Sequence, residues 1–299
     1  FKVFKNGPKL IPDILNLCLN HKEKDFLVFD KERYSFGEFH QLTCQIAHLL
    51  MDEYSIRPGD RVAILMKNSP EFPLIFMALS SIGAVAVCLN SWWTSDELKY
   101  GFMDSKVKLV FTDEQRLAKI KGFVSEMGVQ TVLCRHQNSD KSDEFWNSLL
   151  TSKNNELPRT TIDQDSDFAV MYTSGSTGHP KGVVMTHRGA ISTLMSWHFG
   201  LRVLDVMGLG PVPYVDKNNQ PYQPCQLVSV PFFHVSGTHG GLLLALWSGT
   251  KLVIMKKWDP PEAVRLIELE KVSRFGGVPT MAAEILGEAK KVGAKLESI

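Results

Sequence analysis

The chain has 299 residues, 44% of them hydrophobic, enough to bury the core of one large or two moderate domains. Lysine and arginine total 33 against 32 acidic residues, so the net charge of +1 supplies no global field for nucleic acid or an anionic membrane. The five cysteines (Cys18, Cys44, Cys88, Cys134, Cys225) never form a Cys-x-x-Cys pair, and the nine histidines include no His-Glu-x-x-His. This argues against zinc and against a disulfide framework, and fits a reducing compartment.

In chain order, "RYSFGEF" predicts a short strand turning into a helix at Ser35, with Glu38 completing a capping box. Phe39, Leu42, Ile46, Leu49 and Leu50 follow at helical spacing. After the turn "RPGD", Arg61 to Met66 reads as a strand buried on both faces. Phe72 to Leu89 carries no charge, but Pro73, Ser80, Ser81 and Gly83 interrupt it. A helix begun at Pro70 and closed at Gly83, then a buried strand from Ala84 to Leu89, is a better reading than a membrane span. Thr94 and Glu97 form a second capping box, Val107 to Thr112 a third strand, and the segment near Thr131 a fourth. This alternation predicts an α/β fold with a mostly parallel sheet.

A polar run from Ser139 to Asp167 breaks the rhythm, so a seam is expected there, with one α/β subdomain over residues 1–165 and a second over 166–299. Strands are expected at Asp167 to Tyr172, at Gly182 to Thr186, before "SVPFFHVSGTHGG" and at Lys251 to Met255. Helices are expected from Thr186-His187, after Gly241 and around Glu262 to Glu270. His187, His198 and His239 read as ordinary structural histidines.

The loop between the first two of these strands is "TSGSTGHPKG". It is not a Walker loop, because it joins strand to strand and Pro180 and Gly182 stand where a glycine and a hydroxyl belong. It still suits polyphosphate. Gly175 and Gly178 permit close backbone approach, Ser174, Ser176 and Thr177 add donors, and Lys181 adds a charge beside rigid Pro180. Three or four charge-assisted hydrogen bonds at roughly 1.5–3 kcal/mol each could hold a triphosphate without any global charge. A flexible linker would not need Pro-Lys-Gly at its end.

"YTSGSTGHPKGVVMTH" resembles the signature loop of the adenylate-forming superfamily, which includes acyl-CoA synthetases, aryl-CoA ligases, luciferases and peptide-synthetase adenylation domains. "GAVAVCLN", "PFFHVSG" and "GGVPTM" resemble further family segments, and the Trp92-Trp93 pair leans toward the fatty-acyl-CoA branch. The resemblance implies layered, mostly parallel sheets with flanking helices, as in the family's large N-terminal domain. It implies ATP with Mg2+, CoA as co-substrate, and activation of a carboxylic acid, a fatty acid by that branch, to an acyl-adenylate. Thr173, Ser174, Gly175, Ser176, Thr177, Gly178 and Lys181 would hold the outer phosphates. His234 would orient the acid, and Phe232, Phe233, Gly237, Val278 and Pro279 would line the acyl pocket. No protein metal ligand is expected in this chain. An intracellular location, cytoplasmic or peroxisomal, is expected, with no transmembrane segment and no nucleic-acid partner.

The family's Tyr-Gly-x-Thr-Glu motif does not occur before Ile299. The chain is therefore expected to be the N-terminal portion of a longer enzyme, without the C-terminal domain, and to turn over little by itself. Two rivals remain. A truncated or degenerate relative could bind nucleotide without catalysis. A serine hydrolase is suggested by "THGGLL", but the Gly-x-Ser-x-Gly elbow is absent.

Overall fold

The computed structural model describes residues 4–136, 143–151, 154–174 and 178–299. Its strands are β1 (Asp25–Phe29), β2 (Glu32–Ser35), β3 (Arg61–Leu65), β4 (Val85–Cys88), β5 (Leu109–Asp113), β6 (Gln130–Arg135), β7 (Asp167–Thr173), β8 (Lys181–Thr186), β9 (Cys225–Val228), β10 (Lys251–Ile254) and β11 (Arg274–Phe275). They form two sheets, ordered β11-β9-β10-β1-β2 and β6-β5-β3-β4-β7-β8. All pairings are parallel except the hairpins β1–β2 and β7–β8. Both sheets take strands from either side of residue 165, so the two sequence halves interleave.

The parallel strands read as continuous apolar runs because helices cover both faces. Every residue of β4 is buried, and so is every residue of the helix Glu71–Ser81, which lies in the core between the sheets. The uncharged run from Phe72 to Leu89 thus divides into that helix and β4. No described helix is long and apolar enough to cross a membrane. Both expected capping boxes form: Glu38 N donates to Ser35 Oγ at 3.1 Å while Ser35 N donates to Glu38 at 2.7 Å, and Thr94 and Glu97 repeat the pattern. The helical segment expected after Gly241 begins earlier, at Val235, because His234 caps it.

Three apolar layers result. The central one, between the sheets, includes Phe26, Phe36, Phe39, Phe72, Phe76, Phe168 and Phe232. The second packs the helices Ser95–Ser105 and Glu114–Ile120 on the outer face of the six-stranded sheet, and the third packs Pro260–Glu270 on the five-stranded sheet.

One buried ionic cluster ties the layers together. Arg135, ending β6, reaches Glu71 at 2.7 Å and Glu32 of β2 at 2.8 Å, with its guanidinium over the Phe29 ring. Glu71 is fully buried, and Trp146 Nε1 also donates to it, at 3.3 Å. Removing Arg135 strands the fully buried Glu71 carboxylate in the core, whereas removing Glu71 leaves Arg135 its pair with Glu32. Arg135→Ala should therefore destabilise the fold by about 3–5 kcal/mol, read from urea unfolding.

His187 and His239 are buried as expected and flank the Phe168 ring, with centroids 5.3 and 5.9 Å away. Ile11 N donates to His187 Nδ1 at 3.3 Å, and His187 Nε2 has no partner. Burial pushes both imidazoles down from 6.5 to about 4. Each stays neutral in the fold over a range where the unfolded chain binds a proton. Stability is then complete above pH 6.5 and falls as the pH drops toward 4. The urea midpoint should decline between pH 7 and pH 4.5, and His187→Gln should flatten that slope.

Candidate active site

The candidate residues lie at or after the ends of β7, β9 and β11 and at the start of β8, and Asn68 past β3 bonds the segment past β9 in the other sheet. β7 and β8 form an antiparallel hairpin in which Thr173 pairs with Lys181 and Tyr172 with Gly182. The hairpin therefore brings the first hydroxyl and the lysine of the loop opposite each other, both exposed. Gly178 adopts φ +92°, in the region that favours glycine. Gly175, Ser176 and Thr177 lie outside the described residues.

The base of the hairpin is braced against the helix Ser95–Ser105. Tyr172 packs edge-on against Trp93, centroids 5.3 Å apart, and donates its hydroxyl to Asp104 at 2.6 Å. Burial and the neighbouring Asp104 carboxylate raise the Tyr172 pKa, so the phenol keeps its proton. On the far limb, the His179 ring stacks on Tyr100 with centroids 4.8 Å apart. Loop entry and exit are thus both tied to one helix.

His234 follows β9 and caps the next helical turn. Ser236 N donates to its Nδ1 at 3.3 Å, and Ser236 Oγ lies 2.9 Å from the same atom. Because Nδ1 accepts, the neutral ring carries its proton on Nε2. The residue itself is exposed. Gly237 is required here, since a Cβ would stand 2.3 Å from Pro231 O. Phe233 packs edge-on against Trp92, centroids 5.4 Å apart, and Trp92 remains 67% exposed. Phe232 points the other way: it is fully buried and stacks on Phe72. Val278 and Pro279 are exposed at the start of the helix Pro279–Val292.

Further residues, not singled out from the sequence, assemble these pieces. Asn68, just past β3, donates from Nδ2 to Val230 O and accepts Phe232 N on Oδ1, both at 2.9 Å. This clamps the segment leading to His234 in one sheet to a strand end in the other. Gln226 on β9 lies beside two glycines: a Cβ at Gly241 or Gly276 would stand 4.0 or 3.5 Å from its Nε2. The turn after His234 and the "GGVP" segment thus meet at one amide. Thr238 Oγ1 lies 4.0 Å from Met171 Sδ, so the His234 turn also touches the strand that leads into the loop. An amide directly after a buried strand was the only signal for Asn68 and is a weak one. "THGGLL" forms a π-helical turn with His239 buried, and does not present an oxyanion loop.

A family model described as AMP-binding enzyme matches residues 17–298, and the chain belongs to this family. It is similar to the 4-coumarate–CoA ligase CCL1 of Humulus lupulus, 32% identical over 237 residues, covering 79% of this chain and 41% of that one. The 4-coumarate–CoA ligase-like 6 of Arabidopsis thaliana is 27% identical over 95% of this chain and 45% of its own. The chain therefore spans less than half the length of these curated relatives. Among solved structures, the inhibitor-bound N-terminal domain of FACL13 from Mycobacterium tuberculosis superposes with a TM-score of 0.77 at 26% identity, covering 95% of this chain and 65% of that one. A Mycobacterium tuberculosis fatty acyl CoA synthetase gives a TM-score of 0.80 at 24% identity, covering 97% and 53%, a likeness of fold. The layered sheets and flanking helices expected from the sequence are those of the family's N-terminal domain.

Asn68→Ala should leave Val230 O and Phe232 N without partners and cost about 2–6 kcal/mol, at 1–3 per group. Hydrogen exchange should rise at residues 230–237 before the rest of the sheet, and Asn68→Asp, which keeps only the acceptor, should fall between the two.

Proposed function

We propose that this chain supplies the triphosphate-binding and acid-orienting parts of an ATP-dependent acid–CoA ligase. The carrying observation is the hairpin that sets Thr173 opposite Lys181 and touches the His234 turn through Met171 and Thr238. A carboxylate would attack the α-phosphate of ATP, pyrophosphate would leave, and a CoA thiol, losing its proton, would take the acyl group from the adenylate and release AMP. Thr173, Ser174, Gly175, Ser176, Thr177, Gly178 and Lys181 would hold the outer phosphates. Lys181 would neutralise charge building on the departing pyrophosphate, the largest kind of catalytic contribution in such a site. His234 would donate from Nε2 to the acid, which is already ionised at neutral pH and needs no base. Phe233, Gly237, Val278 and Pro279 would border the acyl group, with Phe232 supporting them from the core.

Among the described residues no three His, Cys, Asp or Glu side chains form a group that could hold a metal. Magnesium would enter as the partner of ATP, where it would add positive charge to the leaving phosphates. Burial of all five unpaired cysteines supports an intracellular setting, cytoplasmic or peroxisomal. We favour a fatty acid as substrate, on the Trp92-Trp93 pair, which by resemblance leans toward the fatty-acyl-CoA branch. An aromatic acid is the second reading, favoured by the curated relatives named as 4-coumarate–CoA ligases.

The test is acid-dependent exchange of labelled pyrophosphate into ATP, run over a panel of alkyl and aromatic acids in a protein that includes the remaining family segments. Exchange should require one class of acid, and Lys181→Ala should slow it by about 10- to 1,000-fold, as loss of one preorganised donor does. Exchange at the unsubstituted rate in that variant would remove the proposed role of the hairpin. The 299-residue chain alone should turn over little.

A further inference from the structure

Parallel strands covered on both faces carry apolar side chains on both, and β9 departs from this at Gln226. Cys225 and Leu227 belong to the apolar layer outside the five-stranded sheet, and Val228 belongs to the layer between the sheets. Alternation along the strand puts Gln226 on the Val228 face. Its neighbour in register on β10 is Leu252, fully buried in that central layer. Its neighbour on β11 is Arg274, and the next residue, Phe275, packs with the outer layer, so Arg274 lies on the Gln226 face. An amide and a guanidinium thus occupy adjacent positions where the pattern calls for apolar residues. Neither side chain has a hydrogen-bond or ion-pair partner among the described residues.

We propose that Gln226, with Arg274 beside it, binds an oxygen function carried by the acid away from its reacting carboxylate. This rests on the ligase reading and narrows its substrate class: the acid, alkyl or aromatic, carries a second group that accepts hydrogen bonds.

The surroundings of the amide favour this role. The residues facing Gln226 Nε2 are Gly241, in the turn after His234, and Gly276, in the segment running into Val278 and Pro279. Neither brings a side chain, so the amide stays reachable between the two segments that would border the acyl group. Gln226 is half-buried, and covering it with an alkyl tail alone would cost the hydrogen bonds it makes to water. The chemistry is also selective. Gln226 Nε2 donates, and a guanidinium offers donors only, so an accepting oxygen suits both. A methyl or a ring carbon would suit neither. A site with a polar group to satisfy rejects the analogue lacking its partner more strongly than an apolar pocket rejects a change of size.

The test is calorimetric titration, in a protein that includes the remaining family segments, with acids that differ only at the tail. One set is dodecanoate, ω-hydroxydodecanoate and dodecanedioate, and the other is phenylpropanoate and 4-hydroxyphenylpropanoate. In at least one set an oxygenated acid should bind about tenfold tighter or more than the plain one, the scale of one buried hydrogen bond. The tighter of hydroxyl and carboxylate identifies the group. Gln226→Leu and Gln226→Met, both of similar volume, should remove the difference while thermal melts show them folded, and Arg274→Leu should reduce it. Equal binding within both sets, no binding of any acid, or a preference unchanged in the folded Gln226 variants would overturn the proposal. Pyrophosphate exchange with the same acids separates the two readings. Tail selectivity in binding without exchange removes the ligase and leaves the recognition of the tail, and exchange without tail selectivity does the reverse.

Discussion

The side-chain amide of Asn68 is the contact on which the rest of the site depends. Two sheets packed through a shared layer of helices can slide against each other, because apolar contacts have no direction. Asn68 removes that freedom by bonding a carbonyl and an amide of the chain past β9 from a position past β3. Phe72, stacked on Phe232 a few ångströms below, fixes the same segment by shape. The clamp has direction and the stack has bulk. Together they hold the turn that His234 caps against the strand that ends at Thr173.

Much of this was legible in the sequence where one local rule decides the structure. The capping boxes at Ser35 and Thr94 formed because donor and acceptor are three residues apart and need nothing from elsewhere. The hairpin was legible because two apolar runs flank a loop too polar to bury. The resemblance located the His234 segment, but Phe232, Phe233 and His234 are consecutive, and their sequence does not say which faces the core. The backbone path through Pro231 and the cap at His234 decide that, burying Phe232 and leaving His234 exposed.

What was not legible depends on distant pairings. Asn68 meets residues more than 160 positions away, and Arg135 meets Glu71 and Glu32, 64 and 103 positions away. No spacing rule reaches across such separations. The interleaving of the two sequence halves in both sheets belongs to the same class. The polar run from Ser139 to Asp167 carries the chain from β6 across to β7, within a single sheet.

A net charge near zero could suggest that this molecule has no business with anions, and the arrangement of charge argues otherwise. Field strength at a site depends on what stands within a Debye length in low dielectric, not on the sum over the chain. Under the proposed ligase reading the hairpin would do this with one lysine, the exposed hydroxyls of Thr173 and Ser174, and no helix dipole of the kind a Walker loop uses. It therefore depends more on how firmly the loop is held, which explains the bracing of both limbs on the helix Ser95–Ser105 through Tyr172 and His179. Several acidic residues that balance the total are committed to neighbours: Asp104 to Tyr172, Asp113 to Arg116, and Glu71 to Arg135. Neutrality of the whole is thus compatible with a locally cationic loop end at Lys181, because acids and bases are paired unequally in space.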